Sequence, residues 1–380
     1  MPKIRVLIAD DAVVIRRLVS NCLAEDPDIE VVGTASNGQI ALTKVAQVNP
    51  DLVILDVEMP VMDGLQTLAT IRKLYSRLPV IMFSTLTERG AAATLDALSL
   101  GASDYVTKPA NVGSVGAAIQ RVREELVPKI KALCGRKPPL SVVVPSRAGG
   151  DARNILDPRP ASTARVDILA IGVSTGGPSA LSTLFQRLSK DFPVPIVIVQ
   201  HMPPMFTRLL AERLAAVSGF SAREGEAGAA VLPGEVWVAP GGFHMEVEPS
   251  VDGVRLRTHQ GPPENSCQPA VDVLFRSVAR VYGPNALAVV LTGMGQDGLR
   301  GCEYIREAGG RILVQDEATS VVWGMPGAVS HAGLAEKVLS LHELAVEINC
   351  RVRPSSRLPE TPTTAENSPV GFPSQFHEHR

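Results

Sequence analysis

The chain has 380 residues, 45% hydrophobic and 20% charged, which is typical of a globular protein long enough to form two domains. Its 37 lysines and arginines against 39 aspartates and glutamates give a net charge of −2, which argues against a nucleic-acid-binding protein. Five scattered cysteines without CxxC spacing argue against a disulfide framework and a zinc site, and no apolar run reaches the roughly 18–20 residues of a membrane span, so we predict a cytoplasmic protein.

Residues 1–133 alternate short apolar runs with amphipathic stretches such as Ala12–Ala24 and Gly38–Asn49. Five runs have the length and composition of strands: Arg5–Ala9, Glu30–Ala35, Leu52–Asp56, Pro79–Ser84 and Asp104–Thr107. Strands that alternate with helices in this way are typical of a doubly wound, mainly parallel sheet. We therefore predict an α/β domain over residues 1–133.

The remaining chain divides by composition into three segments. Residues 134–165 are rich in Pro, Gly, Ser, Arg and Asp, which predicts a flexible linker. Strand–helix alternation resumes over residues 166–352 and predicts a second doubly wound, mainly parallel-sheet domain. The tail, residues 353–380, is rich in Pro, Ser, Thr and Glu and is predicted to be disordered.

Polar side chains follow the predicted strands of the first domain. Asp10 and Asp11 close the first strand, Asp56 closes the third, Ser84 closes the fourth, and Lys108 follows the fifth. The carboxyl ends of parallel strands meet at one edge of the sheet, and three carboxylates there repel one another unless a cation such as Mg²⁺ lies between them. A carboxylate can also accept a phosphoryl group, although each acid taken alone could equally be a helix cap.

This first domain resembles the receiver domain of two-component response regulators over about 125 residues. The resemblance implies that a histidine kinase phosphorylates Asp56 and that Asp10, Asp11 and Asp56 hold Mg²⁺. It also implies that Ser84 and Tyr105, with Lys108, respond to the phosphate. The matching residues are Asp10-Asp11, Asp56, Met59-Pro60, Asp63-Gly64, Ser84, Tyr105 and Lys108-Pro109.

In the second domain, an apolar run over Ile168–Val173 leads into the glycine-rich turn Ser174–Pro178. The glycines allow the backbone to reverse direction, and Pro178 suits the first turn of a helix. The turn would present the Ser174 hydroxyl beside free helical N–H groups that can stabilise an oxyanion. Because a serine hydroxyl is a weak nucleophile, such a site also needs a base.

Two further apolar runs end at side chains that could complete a serine-hydrolase site. Pro195–Gln200 ends at His201, and Ala286–Leu291 leads into a loop that contains Asp297. A histidine can take the proton of Ser174, and a carboxylate can fix the tautomer of that histidine. His201 could also be a structural histidine bonded to backbone, and Asp297 could simply cap the following helix.

Other residues compete for these two roles. His244 follows the predicted strand Glu235–Ala239, and His259 lies near a loop, so either is an alternative base. Asp316 follows Arg311–Gln315 and is an alternative acid.

The segment Gly172–Gly176 also fits the Gly-x-Ser-x-Gly motif of α/β-hydrolases, but in those enzymes the acid precedes the histidine, whereas here Asp297 follows His201. A small-ester hydrolase with a regulatory domain therefore stays an alternative. A transcriptional regulator would need a basic helix-turn-helix after the linker, and the second domain shows no basic patch. A non-catalytic response regulator that acts only as a binding partner is a third possibility.

Residues from about 166 to 350 resemble the catalytic domain of the chemotaxis protein-glutamate methylesterases, which also deamidate receptor glutamines. The resemblance implies that Ser174 is the nucleophile, that His201 is the general base and acid, and that Asp297 orients His201. The matching segments are Ile171–Pro178, Gln200-His201-Met202, Ala239–His244, Leu291–Gly298, Gln315-Asp316-Glu317 and Trp323-Gly324-Met325-Pro326.

The same resemblance implies that Thr175 and the backbone N–H of Met294 stabilise the tetrahedral intermediate, and that His244 and Asp316 support the site. The expected fold is a flavodoxin-like receiver followed by a methylesterase catalytic domain that needs no cofactor. The expected function is phosphorylation-activated hydrolysis of glutamate methyl esters on chemoreceptor cytoplasmic helices, with no nucleic-acid partner and no membrane insertion.

Overall fold

The computed structural model of the protein describes residues 2–109, 115–135 and 165–352. These residues form two α/β units, which we call the first unit (residues 2–135) and the second unit (residues 165–352). Most of the predicted linker and the whole predicted tail lie outside the described residues, so both stay predictions. Among the described helices, none combines the length and the apolar character needed to cross a membrane.

The first unit is a five-stranded parallel sheet in the order β2-β1-β3-β4-β5. Every predicted strand is confirmed to within one residue. The elements are β1 Ile4–Ala9, α1 Val13–Ala24, β2 Ile29–Ala35, α2 Gly38–Val48, β3 Leu52–Asp56, α3 Gly64–Leu74, β4 Val80–Ser84, α4 Glu88–Ser99, β5 Asp104–Thr107 and α5 Val115–Leu133.

Three helices of the first unit begin at polar side chains. Asn37, Asp63 and Thr87 each accept a hydrogen bond from an N–H in the first turn of α2, α3 and α4, respectively. Such caps satisfy backbone donors that have no partner within the helix. The start of each helix, and therefore the loop before it, is fixed by its local sequence.

The second unit is a seven-stranded parallel sheet in the order β14-β13-β12-β6-β7-β9-β8, with a separate antiparallel hairpin β10-β11. Its elements are β6 Ile168–Val173, α6 Gly177–Phe185, β7 Ile196–Gln200, α7 Phe206–Ser218, β8 Ser221–Glu224, β9 Glu235–Val238, β10 His244–Ser250, β11 Gly253–His259, α8 Val271–Tyr282, β12 Ala286–Val290, α9 Leu299–Glu307, β13 Arg311–Gln315, α10 Met325–His331, β14 Lys337–Leu339 and α11 Leu341–Val352.

The central strands of both sheets are buried from end to end. Every residue of β3, β4, β6, β7 and β12 is buried. Helices on both faces of a parallel sheet require apolar side chains in both directions, which explains the continuous apolar runs in the sequence. The predicted fold class, two doubly wound and mainly parallel-sheet α/β units, is confirmed.

The strand order reverses at β6. The chain passes from β6 to β7 on one side and later returns to place β12 on the other side of β6. At such a switch point the loops that follow the strands diverge and leave a crevice, where ligands bind in open α/β sheets. The segments that follow β6, β7 and β12 carry Ser174, His201 and Asp297.

Candidate active site

The turn that carries Ser174 is held by its backbone. The Ser174 N–H donates to the carbonyl of Thr292 (3.0 Å), and the Ser174 carbonyl accepts from the Gly177 N–H (2.8 Å) and from Nε2 of Gln200 (3.0 Å). These contacts join the carboxyl ends of β6, β7 and β12, the three strands at the switch point. Ser174 is half-buried, and within the described residues its hydroxyl makes no hydrogen bond.

Two glycines allow this turn to form. Gly176 has φ +78°, a left-handed conformation that glycine adopts without steric cost, and it precedes the first residue of α6. At Gly293 a Cβ would lie 2.8 Å from the Cβ of Ser174 and 2.4 Å from Sδ of Met325. Because Gly293 has no side chain, its backbone can pack directly against the serine.

His201 and Asp297 are joined directly. Nε2 of His201 lies 2.8 Å from Oδ2 of Asp297 and donates its proton to that carboxylate. The side chain of His201 is 14% exposed, and that of Asp297 is 2% exposed. The buried carboxylate therefore fixes one ring nitrogen and leaves Nδ1 as the nitrogen available for chemistry.

Asp297 is surrounded by hydrogen-bond donors. Its carboxylate accepts from the N–H groups of Val271 (2.6 Å), Asp272 (3.1 Å) and Gly298 (3.0 Å), and from Nδ2 of Asn265 (3.0 Å). The first two belong to the first turn of α8, where the helix dipole favours negative charge. Burial by itself raises the pKa of Asp297, but these donors and His201 lower it below its usual value. Asp297 is therefore an anion in the site.

A second carboxyl group, that of Asp272, lies beside Asp297. It accepts from the N–H of Gly301 (2.7 Å) and from Nδ2 of Asn265 (2.9 Å), so the Asn265 amide bridges the two acids. Burial and the charge of Asp297 raise the pKa of Asp272 to about 6. The pKa values of the two neighbouring acids are thus shifted in opposite directions, and Asp297 is the acid that stays charged.

The imidazole of His201 favours its protonated form. Burial lowers its pKa, but Asp297 and Cys267 raise it more, so that the net pKa lies above the usual value. Nδ1 faces Sγ of Cys267 at 3.6 Å, and within the described residues no hydrogen bond joins it to Ser174. The structure thus joins two members of the predicted triad directly and brings the third to the same edge of the sheet.

The competing histidines and the competing acid have other partners. Nε2 of buried His244 donates to the carbonyl of Pro262 (3.0 Å), and its Nδ1 accepts from the N–H of Ala270 (3.3 Å). Nε2 of His259 lies 3.4 Å from a carboxylate oxygen of Glu246. His244 therefore ties down the segment that leads into α8, and within the described residues neither ring bonds to Asp297.

Asp316 caps its own loop. Its Oδ1 accepts from the N–H of Thr319 at 2.9 Å, and its backbone N–H donates to the carbonyl of Leu339 at the end of β14 (2.8 Å). These contacts order the segment between β13 and α10, and they support the implied architectural role of Asp316.

In the first unit, three carboxylates and one lysine meet at the sheet edge. Carboxylate oxygens of Asp10, Asp11 and Asp56 lie within 4.8 Å of one another. Nζ of Lys108 lies 2.9 Å from Oδ2 of Asp10 and 2.8 Å from Oδ2 of Asp56. Burial raises the pKa of Asp56 to about 6, although the ammonium group opposes it. Hard oxygen ligands in this arrangement fit Mg²⁺.

Ser84 is linked to the second unit through α4, whereas Tyr105 contacts that unit directly. The buried hydroxyl of Ser84 donates to the carbonyl of Gly90 in α4 (3.1 Å). The ring of Tyr105 stacks on that of Phe206, the first residue of α7, with centroids 4.9 Å apart and planes 9° from parallel. Ser84 is thus bonded to the helix that contacts the second unit, and Tyr105 contacts that unit itself.

The two units meet beside Ser174. Oγ1 of Thr175, the next residue, donates to Oδ2 of Asp104 (2.9 Å), a buried carboxylate that is paired with Lys129 (3.0 Å). Helix α4 adds further contacts across the interface, namely Ser179 to the carbonyl of Leu98 (2.7 Å), Arg208 to Glu88 (2.7 Å) and Arg213 to Asp96 (2.8 Å). Sequence patterns contained no signal for Asp104, Cys267 or Asn265 as site residues.

Two known families match the chain. Residues 169–348 match the CheB methylesterase family, and residues 6–120 match the response regulator receiver domain family. A protein-glutamate methylesterase/protein-glutamine glutaminase from Trichodesmium erythraeum is 55% identical over 354 residues, covering 93% of this chain and 100% of the relative. A protein-glutamate methylesterase/protein-glutamine glutaminase 1 from Rhodospirillum rubrum is 44% identical over 365 residues, covering 91% of this chain and 94% of the relative.

Two solved structures are similar to parts of the chain. The catalytic domain of Thermotoga maritima CheB methylesterase is 39% identical, with a TM-score of 0.48, covering 49% of this chain and 98% of that one. The response regulator domain of the same protein is 38% identical, with a TM-score of 0.32, covering 36% and 99%. From the full-length relatives and the two family matches, the chain belongs to the family of protein-glutamate methylesterases/protein-glutamine glutaminases that carry a receiver domain.

Proposed function

We propose that this protein hydrolyses glutamate methyl esters on chemoreceptors, and deamidates specific glutamines, by an acyl-enzyme route through Ser174, His201 and Asp297. The observation that carries this proposal is the bond between His201 and the buried carboxylate of Asp297, which lies at the strand ends that also present Ser174. The activity is the one for which the full-length relatives are named.

In the first step, Oγ of Ser174 attacks the side-chain carbonyl of a methylated glutamate while His201 takes the serine proton. Because Nε2 is bonded to Asp297, Nδ1 is the atom that takes it. The protonated ring then gives the proton to the departing methoxide, and methanol leaves. A hydrogen bond between a nucleophile and its base often forms fully only when substrate is bound. Within the described residues the Ser174 hydroxyl has no hydrogen bond that would have to break before it bonds to Nδ1 of His201.

In the second step, water attacks the acyl-enzyme and His201 again accepts and returns the proton, which releases a glutamate carboxylate and restores Ser174. With a glutamine substrate the same route releases ammonia in place of methanol. We assign stabilisation of the tetrahedral intermediate to Thr175, whose hydroxyl donates to Asp104 as long as the first unit is in place, and to the N–H of Met294. The close packing on Ser174 of Gly293, the residue before Met294 in the chain, supports this assignment.

We further propose that a histidine kinase phosphorylates Asp56 and that Asp10, Asp11 and Asp56 hold Mg²⁺ for this transfer. The metal supplies charge neutralisation when it is bound. Lys108 already pairs with Asp10 and Asp56 and would transfer one of these contacts to a phosphoryl oxygen. We place the reaction in the cytoplasm, where free thiols such as the five cysteines stay reduced.

Phosphorylation would reach the active site through α4 and β5. A phosphoryl group on Asp56 competes with the Gly90 carbonyl for the Ser84 hydroxyl, and Gly90 belongs to the helix that touches Ser179, Arg208 and Arg213. Tyr105 and Asp104 on β5 contact Phe206 and Thr175. We propose that these contacts hold the first unit over Ser174 until phosphorylation weakens them.

A direct test uses a methylated chemoreceptor fragment incubated with the full-length protein. Mass spectrometry should show methyl esters converted to carboxylates, and this conversion should be faster when Mg²⁺ and a small phosphodonor are present. A receptor whose esters stay intact under both conditions would contradict the proposed substrate class.

The rate should rise with pH through the pKa of His201. A general base must be neutral, and the pKa of His201 lies above its usual value of 6.5 because of Asp297 and Cys267. The ascending limb of kcat/KM against pH should therefore lie on the alkaline side of 6.5. Asp297→Asn should move that limb to lower pH and reduce kcat by about 10⁴-fold, the effect of losing the orienting carboxylate in a triad. An unshifted limb in this variant would argue against the assigned pair.

Asp56→Asn should remove the response to a small phosphodonor and leave the unstimulated rate near that of the parent protein. Asparagine keeps the shape of the side chain but cannot form an acyl phosphate. Asp63→Asn is a suitable control because Asp63 caps α3 by accepting from the Gln66 N–H, which asparagine also does. If the phosphodonor still activates Asp56→Asn, another residue carries the phosphoryl group.

A further inference from the structure

Cys267 lies in the active site, and the mechanism described above does not use its thiol. Sγ of this free, half-buried cysteine is 3.6 Å from Nδ1 of His201. The thiol donates to the carbonyl of Asn265 at 3.4 Å. A sulfur atom and the proton-accepting nitrogen of the base therefore face each other at an edge that solvent reaches, since the His201 side chain is 14% exposed.

The spacing of these two atoms fits one metal ion. Zinc binds imidazole nitrogen at about 2.0–2.1 Å and thiolate sulfur at about 2.3 Å, and a tetrahedral angle between two such bonds separates the ligand atoms by about 3.6 Å. The observed Nδ1–Sγ distance is 3.6 Å. Neither side chain has to move far to hold the ion.

The far side of the His201 ring is also arranged as in zinc sites. Nε2 donates to Asp297, whose carboxylate is itself held by Val271, Asp272 and Asn265. Metal-bound histidines usually donate their other N–H to a carboxylate in this way, which fixes the tautomer and raises the basicity of the ligating nitrogen. The arrangement that prepares Nδ1 for a proton also prepares it for a metal.

We propose that Cys267 and His201 form a binding site for a thiophilic divalent cation such as Zn²⁺, and that the bound ion switches off hydrolysis. On binding, the S–H bond of Cys267 breaks and, where the His201 ring is protonated, its Nδ1–H bond breaks as well; these protons go to solvent, while Zn–S and Zn–N bonds form and no electron is transferred. Water fills the remaining positions of the ion. Inhibition follows because the lone pair of Nδ1 is no longer free to accept the proton of Ser174; this part, unlike binding itself, rests on the proposed function.

This site and the acidic cluster of the first unit offer different ligand atoms and therefore prefer different metal ions. Asp10, Asp11 and Asp56 offer only hard oxygen atoms, which suit Mg²⁺, whereas sulfur and imidazole select Zn²⁺ or Co²⁺. Millimolar Mg²⁺ should therefore saturate the acidic cluster without displacing a thiophilic ion from Cys267.

Cobalt provides a readout that does not depend on activity. The full-length protein in excess Mg²⁺ is titrated with Co²⁺, and thiolate ligation is followed by the sulfur-to-cobalt charge-transfer band in the near ultraviolet. We expect this band in the parent protein and in Cys350→Ser, which removes an exposed thiol elsewhere, and its loss in Cys267→Ser. A band that survives in Cys267→Ser, or one that never forms in the parent protein, overturns the site.

Zinc inhibition is measured on the same proteins, each against its own zinc-free rate. We expect Zn²⁺ to inhibit the parent protein and Cys350→Ser, with reversal by a chelator, and the half-inhibitory concentration to rise at least about 10-fold in Cys267→Ser. A cobalt band without zinc inhibition confirms thiolate ligation by Cys267 but overturns the proposed inhibition; the assignment of His201 as base is tested separately by the pH profile of Asp297→Asn.

Discussion

Ser174→Ala should lose methanol release by about 10³- to 10⁶-fold, because alanine has no hydroxyl with which to form the acyl-enzyme. The measurement is methanol released from a methylated chemoreceptor fragment under phosphodonor activation, where the parent rate is highest. Ser250→Ala, at the turn of the β10–β11 hairpin, is the matched control and should keep the parent rate.

The loss in Ser174→Ala can be separated from misfolding. The serine is anchored only through its N–H and carbonyl, which alanine retains, and its hydroxyl has no hydrogen-bond partner within the described residues. The thermal midpoint of the variant should therefore match that of the parent protein. A stable Ser174→Ala protein that keeps most of its activity would refute the nucleophile assignment.

The sheets could be predicted from the sequence because their strands are buried on both faces. The segments that became β3, β4, β6, β7 and β12 are nearly continuous apolar runs, each closed by a polar or glycine-rich turn. The strand ends that carry Ser174, His201 and Asp297 follow from the same pattern. Parallel strands place their carboxyl ends at one edge, so Ser174 and His201, which directly follow their strands, and the loop after β12 that carries Asp297 are brought to the crevice.

The β10–β11 hairpin and its contacts could not be predicted in this way. These strands lie outside the large sheet, and β10 buries residues irregularly because it packs on α8, where Ser277 accepts from the Val247 N–H. The loop that follows places Asn265 between Asp272 and Asp297 and places Cys267 beside His201. No local motif encodes these contacts, since the loop is ordered by tertiary packing.

The contact between the two units also could not be predicted from sequence patterns. Thr175 and Asp104 lie 71 residues apart, on elements that each look complete within their own unit. The Asp104 position reads as an ordinary acid at the start of a strand. Only the contacts of β5 with the turn after β6 and with α7 show that this carboxylate meets the residue next to the nucleophile.

The buried contacts should dominate the free energy that holds the units together. Exposed ion pairs such as Arg213–Asp96, in which the Asp96 side chain is 57% exposed, contribute about 0–1 kcal/mol each. A stacked aromatic pair such as Tyr105–Phe206 contributes about 0.5–1.5 kcal/mol beyond its buried area, and a hydrogen bond to a buried charge contributes about 1.5–3 kcal/mol. The Thr175–Asp104 bond should therefore be the strongest single polar contact.

Removing residues 1–140 should raise the unstimulated rate about 5- to 150-fold, which corresponds to a coupling of about 1–3 kcal/mol between the two units. Asp104→Ala should reproduce much of this increase in the intact chain, whereas Asp96→Ala, which removes an exposed carboxylate from the same interface, should change the rate little. All three proteins are compared by initial methanol release without phosphodonor. Phosphorylation of Asp56 should then add little to Asp104→Ala, because the contact it weakens is already gone. If the shortened chain is well folded and no faster than the parent protein, the first unit does not mask the site, and the Thr175–Asp104 bond has only a structural role.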